Sequence, residues 1–124
     1  MRLSTHVLDA ALGQPAARIP VRLDRLDGGA WVPVASGVTG SDGRLARWQP
    51  RGVAGEVAAG EPAPDGLAPG LHRLTFETGG YFAGQGIDAF YPEVTVTFQI
   101  RDAGQHYHLP LLLSPYAYSI YRGS

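Results

Sequence analysis

Apolar and polar positions alternate along most of this chain in short runs, with the period of two that belongs to β-strands. Val94–Ile100 is the clearest run: Val94, Val96, Phe98 and Ile100 fall on one side and Thr95, Thr97 and Gln99 on the other. One face of that strand is expected to be buried and the other not. Leu3–Asp9 and residues 21–26, 31–36, 44–48, 71–78, 106–113 and 116–122 read as further strands. Turns separate them: Gly13 to Pro15, the hairpin signal Asp27-Gly28-Gly29, and Ser41-Asp42-Gly43. Residues 81–87 have room for a short helix only, because Gly84 and Gly86 oppose a longer one. Pro110, inside 106–113, has no N–H for a ladder, which predicts an edge strand or a bulge there.

About eight strands with one brief helix, and no βαβ unit or internal repeat, predict an all-β fold of two packed antiparallel sheets. The 124 residues fit a single domain, 1–124. Residues 51–69 break the rhythm. Twelve of those nineteen are Ala, Gly or Pro, which predicts a long surface loop.

Composition adds exclusions. A formal charge of −1 gives no electrostatic reason for a nucleic-acid or anionic-membrane partner. Charged residues are only 17%, so part of the surface is expected to be covered by a partner subunit. The absence of cysteine rules out disulfides, thiolate nucleophiles and Cys-based zinc sites. The opening Met-Arg-Leu-Ser-Thr-His-Val-Leu-Asp enters strand sequence directly, with no apolar stretch of signal-peptide or membrane-span length. A cytoplasmic protein is expected.

Histidine is the natural place to look for chemistry, since it exchanges protons near neutral pH. Alternation puts His6 on one strand face with Ser4 and Leu8, and puts His106 and His108 together with Pro110 and Leu112. His72 follows a Pro-Gly turn and looks incidental. A His-X-His pair with a third histidine is also zinc spacing, but no carboxylate neighbours these residues to complete a catalytic set, so no metal is expected. The alternative is histidines that only hydrogen-bond within strands. The final Tyr121-Arg122-Gly123-Ser124 gathers an aromatic face, a guanidinium and a hydroxyl in four residues.

Four separate motifs, in order, carry a resemblance to a known family. Leu-Ser-Thr-His-Val-Leu-Asp at Leu3–Asp9, with Gly13 and Pro15-Ala16 after it, resembles the opening of the transthyretin-like 5-hydroxyisourate hydrolases. Asp42-Gly43-Arg44 is similar, as is Phe90-Tyr91-Pro92-Glu93-Val94-Thr95-Val96 followed by His106-Tyr107-His108-Leu109-Pro110-Leu111-Leu112-Leu113-Ser114-Pro115-Tyr116. The terminal Tyr121-Arg122-Gly123-Ser124 matches the signature tetrapeptide of the enzyme branch. Residues 51–69 are longer than the family's usual loop, Ile120 stands where Thr is usual, and Leu109 where Val is common. Alternation turns Ile120 away from Ser119 and Tyr121, so a packing change is expected there.

The resemblance implies a transthyretin-like (prealbumin-like) sandwich. It also implies hydrolysis of 5-hydroxyisourate to 2-oxo-4-hydroxy-4-carboxy-5-ureidoimidazoline, without a cofactor, in a homotetramer built as a dimer of dimers. Under it His6, Arg44 and His108 are the catalytic residues, with either histidine as the base. His6, Arg44, Tyr121, Arg122, Gly123 and Ser124 bind substrate. The hormone carrier on this fold lacks the tetrapeptide and the counterparts of His6, Arg44 and His108, all of which stand in this chain. A non-enzymatic carrier of a small aromatic ligand is the alternative expectation.

Overall fold

A computed structural model describes residues 2–51 and 67–123. Its elements are β1 (Leu3–Asp9), β2 (Gln14–Pro15), β3 (Pro20–Asp27), β4 (Ala30–Val38), β5 (Arg44–Leu45), β6 (Gln49–Pro50), β7 (Gly70–Phe76), α1 (Thr78–Ala83), β8 (Val94–Ile100), β9 (Tyr107–Leu113) and β10 (Tyr118–Ile120). They form two sheets. One runs β10-β9-β1-β2, with β5 also paired to β1, and the other runs β6-β4-β3-β7-β8. Over the described residues the architecture is therefore an all-β sandwich with one short helix.

The inner faces follow from alternation. Leu3, Val7, Leu109, Leu111 and Leu113 of the first sheet are buried with Val21, Leu23, Leu74, Phe76, Val94 and Ile100 of the second. In β8 the buried ends and the exposed Thr95, Thr97 and Gln99 reproduce the predicted period. The β3–β4 hairpin turns through Gly28 and Gly29, both at positive φ, between the paired Asp27 and Ala30.

Four local expectations are corrected. Residues 44–48 do not form one strand. Leu45 belongs to β5 on the first sheet, and β6 begins at Gln49 on the second, so this stretch crosses between the layers. Trp48, buried at the crossing, donates its indole N–H to Leu3 O at 2.8 Å, and that polar contact matters more than strand propensity. The helix covers Thr78–Ala83 rather than 81–87, because the chain leaves it at Gly84 and turns at Gly86 with φ 70°. Its Tyr81 hydroxyl donates to the buried Asp9 carboxylate at 2.7 Å, tying α1 to the end of β1.

The third correction concerns strand direction. β1 and β9 run parallel, from Leu3↔Tyr107 to Asp9↔Leu113, whereas the other strand pairs among the described residues are antiparallel. A parallel pair needs a long connection, and these strands lie at opposite ends of the sequence. The fourth is Pro110, which lies in β9, an interior strand. Tyr107 N–H reaches Arg2 O and Leu113 O accepts from Ala10, whereas Pro110 O and His108 O accept from Tyr121 and Gly123. Odd positions of β9 thus bond towards β1 and even positions towards the C-terminal segment. The donor that Pro110 lacks would have faced that short last strand.

Of the expected loop 51–69, residues 52–66 lie outside the described residues. Its flanks are anchored: Arg51 reaches Leu23 O and Asp24, and Leu67 is buried.

Candidate active site

The outer face of the first sheet carries His6, Arg44, His108, Tyr121 and Gly123. The register of β5, β1 and β9, continued through Tyr121 and Gly123, arranges them in rows across the strands. Arg44 pairs with His6, His6 with Pro110, and Tyr121 N–H reaches Pro110 O. In the adjacent row Ser4 pairs with His108, and His108 bridges to Gly123. Neighbouring strands lie about 4.8 Å apart and same-face side chains about 7 Å apart along a strand. His6, Arg44 and His108 therefore share one small patch. Tyr121, at 55% exposure, stands at its rim.

Local geometry fixes Arg44 and His6. Gly43 has φ +77° and lies so close to β1 that an added Cβ would sit 2.4 Å from Val7 O. Its own carbonyl accepts from Val7 N–H at 2.8 Å. Asp42 Oδ1 accepts from the Arg44 N–H at 3.0 Å, which closes the turn. Asp42 O lies 3.0 Å from His6 Nε2. A carbonyl only accepts, so His6 carries its proton on Nε2, and a neutral His6 presents the Nδ1 lone pair.

His108 is set by a different group of contacts. Its Nδ1 lies 2.7 Å from Ser4 Oγ, and the same hydroxyl lies 2.8 Å from His106 Nε2. Gly123 packs on the ring: a Cβ there would sit 2.8 Å from His108 Cδ2 and 3.3 Å from Pro110. Burial holds the His108 pKa below its ordinary value of 6.5, and electrostatic repulsion from the neighbouring His106, His6 and Arg44 adds to the effect. A neutral imidazole is thus favoured where proton transfer would be needed.

Arg122 does not join this patch within the chain. Alternation turns it to the opposite face, where its guanidinium lies 4.5 Å from the Tyr107 ring centroid and donates to Gln105 Oε1 at 3.0 Å. Ser124 lies outside the described residues. Ile120 packs against the core, on the face opposite Tyr121. His72 is buried in the second sheet, with Nδ1 donating to Gly70 O at 3.2 Å, and takes no part in the patch.

Sequence reasoning placed Ser4 and His106 on the right faces but gave neither a role. What was missing was the β1–β9 register, which sets Ser4 beside His108. No group of three or more His, Asp or Glu side chains with metal-binding geometry occurs among the described residues.

Known proteins share this fold. The family model described as HIUase/Transthyretin matches residues 3–123. The chain belongs to that family. Within the HIUase/Transthyretin family it is 45% identical over 127 residues to 5-hydroxyisourate hydrolase 2 of Rhizobium meliloti, covering 99% of this chain and 96% of that one. Among solved structures it resembles the 5-hydroxyisourate hydrolase of Klebsiella pneumoniae, at 38% identity and TM-score 0.73 over 98% of both chains. It also resembles sea bream transthyretin, crystallised with thyroxine, at 27% identity and TM-score 0.78, over 99% of this chain and 95% of that one. Backbone likeness alone thus does not separate the family's two branches; the side chains on the outer face have to.

Proposed function

We propose that this chain hydrolyses 5-hydroxyisourate, opening its six-membered ring at an amide bond to give 2-oxo-4-hydroxy-4-carboxy-5-ureidoimidazoline. The observation that carries the reading is the meeting of His6, Arg44 and His108 on one sheet face, in a chain whose relatives are named for this activity. A non-enzymatic carrier of a small aromatic ligand does not require proton-transfer groups on its binding surface.

Two steps are difficult in this reaction: making water nucleophilic, and stabilising the carbonyl oxygen as it becomes tetrahedral. His108 is the base in this reading: Ser4 and Gly123 fix its ring, and its lowered pKa favours the neutral form that can take a proton. It takes a proton from water through Nε2 and returns it to the leaving ring nitrogen, a role worth about 10²–10⁴-fold. His6, with Nε2–H held by Asp42 O, offers Nδ1 to orient water or a substrate N–H. Arg44 presents a charged donor fork to the planar, oxygen-rich ligand and to the developing oxyanion. Tyr121 covers one side of the ring, and Gly123 leaves room for the His108 imidazole. Arg122, held on Tyr107, fixes the tail that carries both. No cofactor is required.

The patch is exposed on a single chain, with Leu112 at 39% and Tyr121 at 55% exposure. A homotetramer in which two such faces meet would enclose it, and two-fold symmetry would then generate paired copies of the site. The test follows the decay of freshly generated 5-hydroxyisourate by ultraviolet absorbance. The protein should accelerate decay, and Arg44→Ala should lose about 10²–10³-fold, the usual cost of one oxyanion donor. Decay at the spontaneous rate in a folded, assembled sample would overturn the reading in favour of a carrier.

A further inference from the structure

Ser4 Oγ lies within hydrogen-bond distance of two imidazoles, 2.8 Å from His106 Nε2 and 2.7 Å from His108 Nδ1. A hydroxyl has one proton, so it donates to one ring and accepts from the other. The tautomers of the two histidines are thereby coupled. If Ser4 donates to His106, His108 must carry its proton on Nδ1 and keeps a free lone pair on Nε2. If Ser4 donates to His108, Nε2 of His108 carries the proton and His108 cannot act as a base through it.

The first arrangement fits the surroundings. His106 is exposed, so its own Nδ1–H is free to donate to water. The His108 ring is walled by Gly123, and its Nε2 has no hydrogen-bond partner among the described residues. We propose that Ser4 and His106 are positioning residues that hold His108 in the Nδ1–H tautomer, leaving Nε2 as the basic atom. The inference rests on the reading of His108 as the base. A purely structural role for the Ser4 hydroxyl would add little, because seven registered residue pairs already join β1 to β9.

The tautomer is measured directly by long-range ¹H–¹⁵N correlation on the unliganded, full-length protein with ¹⁵N-labelled histidine, assigned with His6→Asn, His72→Phe and His108→Asn. His108 should show a protonated Nδ1 and a bare Nε2. Ser4→Ala should blur that preference and lower kcat on the order of 10-fold or more with KM little changed. Ser4→Thr, which restores a hydroxyl, should recover both. His106→Phe removes the acceptor for the Ser4 proton, and should push His108 towards the Nε2–H form.

A protonated Nε2 on His108 in the unaltered protein overturns the proposal. So does a Ser4→Ala protein that keeps both the His108 spectrum and kcat. Should Ser4→Ala fold poorly, the spectrum of the unaltered protein decides alone. A protein inactive on 5-hydroxyisourate whose His108 nitrogens still respond to Ser4→Ala would refute the proposed substrate while upholding the coupling.

Discussion

His108 sits where three positive or protonatable neighbours and partial burial all disfavour its charged form. Because its pKa is lowered, the neutral base persists as pH falls through 6.5 and is lost only below that value. The acid limb of kcat/KM should therefore lie below 6.5, which a pH series on the wild-type protein would check. Gly123 makes a second residue-scale prediction. A Cβ at that position would meet His108 Cδ2 at 2.8 Å, so Gly123→Ala must displace the ring. Misplacement of about 1 Å can cost on the order of 10²-fold in rate, so turnover should fall steeply while the urea midpoint barely moves. Alternation, a local property, could place His6 on the face of its strand with Ser4 and Leu8, and His108 with His106 and Pro110. That His6, Arg44 and His108 share one patch depends on the registers of β1 with β5 and β9. Arg122 could not be placed, because a four-residue motif reads as a unit although its members point to opposite faces. The Ser4 bridge was likewise hidden, because it depends on a strand 104 residues away.

At the level of elements, strands with a clean period of two were legible and the crossing segment was not. Residues 44–48 have strand-like composition, yet their path is set by Trp48 reaching Leu3 O, a contact that no local pattern announces. Pro110 was rightly read as a missing donor. Which side of the strand it would have served could be learned only once β9 had neighbours. The turn before β5 is held by Gly43 at φ +77° against Val7 O. Gly43→Ala should destabilise the protein by about 1–3 kcal/mol and displace Arg44, seen as a lower urea midpoint together with reduced activity. His72 supplies a pH dependence of stability. Burial lowers its pKa from 6.5 in the folded state, so the unfolded chain binds the proton more readily below that pH. Stability should be full above 6.5 and decline as pH falls beneath it, with His72→Phe flattening the decline in urea titrations.

For the molecule as a whole, the proposed site lies on a face that a single chain leaves open, so the proposed reading makes assembly a condition of activity. Leu112 lies on that face, in the row next to His6 and Pro110. Leu112→Arg should yield smaller species by analytical ultracentrifugation and depress turnover without unfolding the chain. The parallel pairing of β1 with β9 has a consequence in time. During synthesis at about 5–20 residues per second, Ser4 waits roughly 5–20 s for His108, 104 residues later, to be made. Through that interval the partners of β1 among the described residues are the two-residue strands β2 and β5, and the edge that β9 will cover offers its N–H and C=O groups to any strand that arrives. A nascent chain stalled before β9 therefore carries half of its chemistry on a sticky margin. The same late strand both switches on the site and seals the edge.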